Sequence, residues 1–320
     1  MKQRSQQGAA LLLAMIILAL VTTLTAGMVW QQTRAVQVEA AERARAQAGW
    51  ILSGALDWAR LILREDLRSS QQRRSMYSAL SDPWATPLDE ARLSSFLAAD
   101  QANNADSGPE AFISGSIVDA QSRYNLRGLI DGSGKPVAAQ VAGLQRLADL
   151  AGAPSDTASR LATLLAAALT PQTDADPRGP PLRPERLADL AWLGVDAATL
   201  ARLAPFVELL PQPTPVNVNT APREVLVAAI DDLDLGSAER LVQSRQRAPF
   251  ETLEAVQNLL PPTSNKPDPA RVAVATSWFE VSGRLRLDER VLEERSLLQR
   301  DGDKVTVRRR ERRSFASATR

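Results

Sequence analysis

The chain has 320 residues, 44% of them hydrophobic and only 4% aromatic, and its 38 basic and 37 acidic side chains leave a formal net charge of +1 with no cysteine and no histidine. Disulfides, Cys/His zinc sites and the Ser-His-Asp and Cys-His arrangements are excluded, because each needs a thiolate or an imidazole. Carboxylate pairs, a Ser-Lys dyad or an oxygen-ligand metal site remain, with lysine confined to Lys2, Lys135, Lys266 and Lys304; the arginines are balanced by acids, so no basic domain points to nucleic acid.

Residues 1–8 (MKQRSQQG) are short, polar and basic, and Ala9 to Trp30 then runs without a charge, the next being Arg34. At about 1.5 Å per helical residue this run spans roughly the 30 Å of a bilayer core. Lys2 and Arg4 precede it, and residues of mixed sign follow, so the basic flank holds the N-terminus in the cytoplasm and puts the remaining chain outside. Three readings compete: a secretory signal peptide cut near Thr25-Ala26-Gly27, an uncleaved signal anchor, and a prepilin-type leader cut after Gly8. The Gly8-Ala9 junction stands immediately before the apolar run, where the third reading requires it.

No proline interrupts residues 32–67, and Ala44, Ala48, Ile51, Ala55, Trp58 and Ile62 recur at helical spacing, so a long amphipathic helix is expected to continue the apolar one. Trp50 and Trp58, eight apart, are expected to pack on a sheet from that face. After the turn at Ser81-Asp82-Pro83-Trp84, Leu88 to Ala102 reads as helical or irregular, and Phe112 to Val118 alternates as a strand. From Asp131 to Ala275 the chain is rich in Leu and Ala and reads as helical, with glycines 152, 194 and 236 in three similar hairpins that form either a weak repeat or three unrelated helix ends. Ser277 to Leu287, Arg290 to Leu298 and Val305 to Arg312 suit an antiparallel meander, solvated on one face and packed on the long helix by the other. The fold class is therefore α+β: a long N-terminal transmembrane and amphipathic helix on an antiparallel sheet, with an inserted all-α domain. The expected divisions are 1–8 leader, 9–30 transmembrane helix, 31–130 first part of the sheet domain, 131–275 helical insertion and 276–320 second part.

Val216 to Leu226 (VNVNTAPREVL), then Ala238 to Val242 and Arg245 to Phe250 (RQRAPF), resemble a helix-hairpin-helix module of membrane-anchored DNA receptors. They also resemble a segment of the general secretion pathway protein K (GspK) family, minor pseudopilins of the type II secretion system. Asp82-Pro83-Trp84, Val118 to Leu126, the 216–226 motif and Phe279 to Gly283 occur in the order of that family, and the likeness extends over essentially the whole chain. The segment Ile230 to Gly236 carries three aspartates and one glycine, which suits a phosphate poorly, so Asn217, Asn219 and Thr220 read as turn and N-cap residues before a helix starting near Pro222.

The GspK resemblance implies a pilin-like fold, cleavage between Gly8 and Ala9 with Ala9 open to N-methylation, and a place at the pseudopilus tip. It also implies the other minor pseudopilins of the GspI, GspJ and GspH types, the major pseudopilin, prepilin peptidase and the bacterial inner membrane as partners, with no nucleic acid and no catalysis. Leu13 stands where most prepilin-like chains carry a glutamate that neutralises a neighbour's N-terminus, and Ala9 is smaller than the usual first residue. Asp82, Asp119, Asp301 and Asp303 offer oxygen ligands to Ca2+, although no EF-hand spacing is present. The Arg308-Arg309-Arg310 run reads as a solvated strand. The alternative to a pseudopilin is a DNA receptor.

Overall fold

A computed structural model describes residues 6–93, 111–169, 182–262, 264, 266–287 and 290–316, with side chains of residues 6–9 and 316 outside that description. The chain divides into two compact units, Met1–Gly54 and Ala55–Arg320. Helix α1 runs Gln6–Arg73, and the described residues of the first unit are all helical. Its side chains from Leu11 to Trp30 are exposed, and this helix is the one described helix long and apolar enough to cross a membrane.

The second unit contains a five-stranded antiparallel sheet ordered β1-β2-β7-β8-β9, formed by β1 (Leu88–Arg92), β2 (Ala111–Asp119), β7 (Trp278–Leu287), β8 (Arg290–Asp301) and β9 (Lys304–Ala316). The four strands from β2 onward lie where strands were expected, with burial concentrated at Ile113, Ile117, Phe279, Val281, Leu285, Leu298 and Val305 rather than at every second position. β1 is a correction: Leu88 to Arg92 is a strand where helix or irregular chain was expected, held by pairing of Ala91 with Ile113 and Arg92 with Phe112. Its sequence, LDEAR, has little strand propensity of its own, and the edge position supplies the structure. The remainder of that expectation, from residue 94, lies outside the described residues.

One face of the sheet packs on α1. Leu56, Ala59 and Leu63 meet Ile117, Phe279, Val281, Leu298 and Val305, with Trp84 standing edge-on to Phe279 at 5.3 Å and 75°. The buried stripe is thus displaced from the expected one, and Trp50 (79% exposed) and Trp58 (47%) are not among its buried residues. Leu56 and Leu63, seven apart, satisfy helical spacing as well as the tryptophans, eight apart, so periodicity alone could not choose between the two faces. Trp84, from the short 3-10 turn Pro83–Ala85, fills the aromatic place instead.

The other face is not simply solvated. Trp278, next to Phe279 and so on the opposite face, packs with Leu297, Ala120 and Leu210, while Arg123 bridges Glu208 and Glu280 at 3.2 Å each. This face therefore carries the helical block. That block comprises α2 (Ala138–Leu150), α3 (Thr157–Leu169), α4 (Ala197–Leu203), α5 (Arg223–Ala229), α6 (Leu235–Arg247) and α7 (Leu253–Gln257), around a core that includes Leu144, Leu147, Leu161, Leu165, Leu226 and Leu241. Each such leucine contributes about 1.5–3 kcal/mol through burial.

Two short parallel pairs interrupt an otherwise helical block: β3 (Tyr124–Asn125) with β4 (Val207–Glu208), and β5 (Val216–Asn217) with β6 (Val272–Ala273). Gly143 lets α2 approach α5, since a Cβ there would sit 2.4 Å from the Ala228 carbonyl oxygen. Of the three hairpin glycines, Gly152 (φ +65°) and Gly194 (φ +88°) end helical turns in the left-handed region, but Gly236 lies inside the first turn of α6. The glycine spacing is therefore not a structural repeat.

Candidate functional site

The motif residues of the sequence converge on a buried polar junction between the sheet and the helical block. Asp119, at the end of β2, is 1% exposed and accepts hydrogen bonds from the Gln121 amide (2.7 Å), Asn217 Nδ2 (2.8 Å) and Thr220 Oγ1 (2.6 Å). Burial raises its carboxyl above the ordinary range, and the bonds from Thr220 and Asn217 oppose that rise. Asn217 donates also to the Ser78 carbonyl, tying in the loop after α1, and its own Oδ1 accepts from the Asn219 amide. Asn219 clamps a third segment: its Nδ2 donates to the Phe250 and Val274 carbonyls while its Oδ1 accepts from the Phe250 amide.

Asn217 thus fulfils the turn role expected of it, but none of the three residues caps a helix. The N-cap of α5 is Pro222, and Thr220 reaches across to Asp119 instead. Arg245 of α6 completes the set by donating to the Val218 and Ala221 carbonyls at 2.5 and 2.6 Å. Burial lowers its guanidinium to about 10, so it stays charged at neutral pH and is satisfied by backbone dipoles. The spacing from Asn217 to Phe250 therefore encodes a structural clamp.

A second polar knot anchors α1. Arg300 of β8 donates to Asp66 Oδ2 (2.7 Å), the Leu63 carbonyl, Ser78 Oγ and the Thr276 carbonyl, and its guanidinium lies 4.9 Å from the centre of the Phe279 ring. Both charges are buried, with side chains 9% and 2% exposed. Burial raises the Asp66 carboxyl, and the contacts with Arg300 counter it. Sequence reasoning missed this pair, whose members lie 234 positions apart with no local signal at either end.

The four carboxylates offered to Ca2+ do not gather into one site. Among the described residues no three acidic side chains gather to hold a metal ion. Asp82 accepts from the Ala79 amide and Trp84 Nε1, and Asp119 is committed as above, so both face donors rather than a cation. Asp301 and Asp303 flank Gly302 (φ +51°) in the β8–β9 hairpin, as the turn chemistry requires.

The helix-hairpin-helix resemblance corresponds to α5, a tight turn and α6. In that turn Asp231 is held by Arg146 (2.7 Å) and Arg271 (2.6 Å), which outweigh its burial and keep its carboxyl below the ordinary range. Asp234 caps α6 through the Ser237 amide. Carboxylates thus occupy the place a phosphate would need. Gly8 and Ala9 lie in the backbone of α1 near its start.

An antiparallel sheet packed on the C-terminal part of α1, with a helical block let into the connection between β2 and β7, is the architecture of the pilin-like class, and α1 is long and apolar enough to cross a membrane. The comparisons narrow the class. Two family models, each described as type II secretion system (T2SS), protein K, match residues 122–212 and 216–277. The chain is 30% identical to type II secretion system protein K of Pseudomonas aeruginosa, over 97% of this chain and 93% of that protein. With type II secretion system protein K of Pectobacterium carotovorum subsp. carotovorum it shares 28% identity over 96% of each. The chain belongs to the type II secretion system protein K family. Its fold is similar to a chain in the crystal structure of the GspK-GspI-GspJ complex from the enterotoxigenic Escherichia coli type 2 secretion system, with a TM-score of 0.58, 20% identity and coverage of 87% of this chain and 99% of that one.

Proposed function

We propose that the chain is a minor pseudopilin that joins other minor pseudopilins of the GspI, GspJ and GspH types to start and cap the pseudopilus. The observation that carries this reading is kinship over nearly the whole chain to type II secretion system protein K, a GspK having been solved together with GspI and GspJ. Two features of this chain support a tip position. Leu13 cannot neutralise the N-terminus of a subunit already in place, and burying that charge unpaired would be costly. The helical block adds bulk that suits a position with no subunit above it. Residues 1–8 would be the leader, 9–30 the inner-membrane span, 31–130 and 276–320 the two parts of the pilin-like domain and 131–275 its insertion. The N-terminus would face the cytoplasm and the body the periplasm, with assembly rather than catalysis as its activity.

Processing is the direct test. In cells with active prepilin peptidase, mass spectrometry of the membrane-extracted chain is expected to show a new N-terminus at Ala9, carrying one methyl group, and Gly8→Val is expected to abolish cleavage. Retention of Met1 in the wild-type chain would contradict the reading.

A further inference from the structure

Between the segment 182–186 and strand β9 the structure holds two adjoining clefts, of about 300 and 280 Å3, that share Arg183, Glu185 and Arg309. Their charges differ. The second cleft is nearly neutral by pairing: Arg186 bonds Asp189 at 2.9 Å and lies 3.4 Å from Glu311, Arg309 bonds Glu311 at 3.2 Å, and Arg310 bonds Glu294 at 3.2 Å. The first presents Arg127, Arg183, Arg308 and Arg309 against one acid, Glu185. Arg309 is engaged by Glu185 O, Glu208 and Glu311, and Arg308 by Gln299. Among the described residues, Arg127 and Arg183 form no ion pair.

Arg127 is the more telling of the two, because its Nη1 is buried without a hydrogen-bond partner. A buried donor left unmade is costly, and more so when it is charged. Burial, and then the neighbouring Arg183, pull the Arg127 guanidinium below its ordinary value. Among the described residues nothing offsets this arrangement. An incoming carboxylate would, since a guanidinium takes one in a planar, two-bonded geometry.

The remainder of the groove describes what else the ligand must carry. Leu209, Leu210, Pro211 and Leu297 line the first cleft, and Trp192, 61% exposed, lines the second. The three leucines are buried and form the floor, so the apolar surface open to a ligand is that of Pro211 and Trp192; a bare inorganic anion would leave it unused, and a polyanion would meet the paired acids of the second cleft. We propose that this groove binds an acidic peptide segment, seating a carboxylate between Arg127 and Arg183 and laying adjoining apolar side chains over the exposed Pro211 and Trp192. The inference rests on the groove alone and is independent of the assembly role.

The test uses the full chain in nonionic detergent and titration calorimetry with three short probes. These are acetyl-Leu-Asp-Leu-amide, acetyl-Leu-Asn-Leu-amide and acetyl-Leu-Asn-Leu with a free C-terminal carboxylate. At least one carboxylate-bearing probe is expected to bind, and the neutral amide to bind at least about tenfold more weakly, the scale of one charge-assisted contact. Preference for the first probe assigns an internal acidic side chain and preference for the third a chain terminus; both outcomes support the groove. Arg127→Gln and the exposed Arg183→Ala are each expected to weaken binding about tenfold, with Arg127→Gln keeping or raising the melting temperature. Equal binding of the neutral probe, unchanged affinity in both variants, or full competition by inorganic phosphate at equal affinity would overturn the proposal.

Discussion

Arg300→Ala is expected to destabilise the second unit by about 4 kcal/mol, a large share of the 5–15 kcal/mol that holds a domain folded. The substitution leaves Asp66 buried without its partner and removes the bonds to Leu63, Ser78 and Thr276. Truncating one member of a buried pair costs much more than the pair contributes net, because the other charge remains desolvated. Replacing both residues, as Asp66→Leu with Arg300→Met, is therefore expected to recover most of the loss. The pH dependence follows from the same source. The Asp66 carboxyl is already raised by burial, and loss of Arg300 raises it further. An acid whose folded value is raised favours the folded state at low pH and loses that contribution as pH climbs through the folded value. The Arg300→Ala deficit should thus shrink on acidification. Urea unfolding of the full chain in micelles, followed by tryptophan fluorescence, measures it; a cost under about 1 kcal/mol at neutral pH would remove the knot from the account.

Asp119→Ala is expected to cost a similar amount, about 4 kcal/mol. It strips the acceptor from the Gln121 amide, the Thr220 hydroxyl and one Asn217 amide hydrogen, all in a buried setting where each orphaned donor costs about 1–3 kcal/mol. The effect should not stay local. Asn217 also holds Ser78, and Asn219 holds Phe250 and Val274, so Asp119 sits where β2, the loop after α1 and the helical block are tied together. A double-mutant cycle between Asp119→Ala and Thr220→Val is expected to give a coupling above about 0.5 kcal/mol. Additive losses would mean that the clamp is not one network.

These two knots also mark the limit of the sequence. The apolar run, strands β2, β7, β8 and β9 and the helical character of the block were legible, because each depends on local alternation or helical spacing. Asn217, Asn219, Thr220 and Arg245 were legible as a motif but not as a clamp, since their partners lie 24 to 139 positions away. The stripe through Trp50 and Trp58 was not the buried one, since Leu56, Ala59 and Leu63, which also recur at helical spacing, form it instead. β1 was missed because pairing, not propensity, makes it a strand. The proposed processing junction Gly8-Ala9 is a reading of the sequence motif alone. The groove at Arg127 and Arg183 was invisible for a different reason, since it exists only when residues 127, 183, 210, 297 and 308 are brought together.

The absence of cysteine and histidine takes on a structural meaning in this light. With no disulfide available, the join between sheet and helical block relies on buried hydrogen bonds and on the small apolar cluster of Ala120, Leu210, Trp278 and Leu297. Such a join is cooperative: it is stable while complete and weak once one member is lost.

The central claim, that this member of the protein K family works by assembling with other minor pseudopilins, is tested most directly by co-expression of the full chain with the GspI- and GspJ-type subunits of the same system, followed by purification on a tag carried by this chain. A stable complex with one copy of each subunit by native mass spectrometry is expected. Recovery of the chain alone, folded and monomeric in the presence of both subunits, would contradict the account.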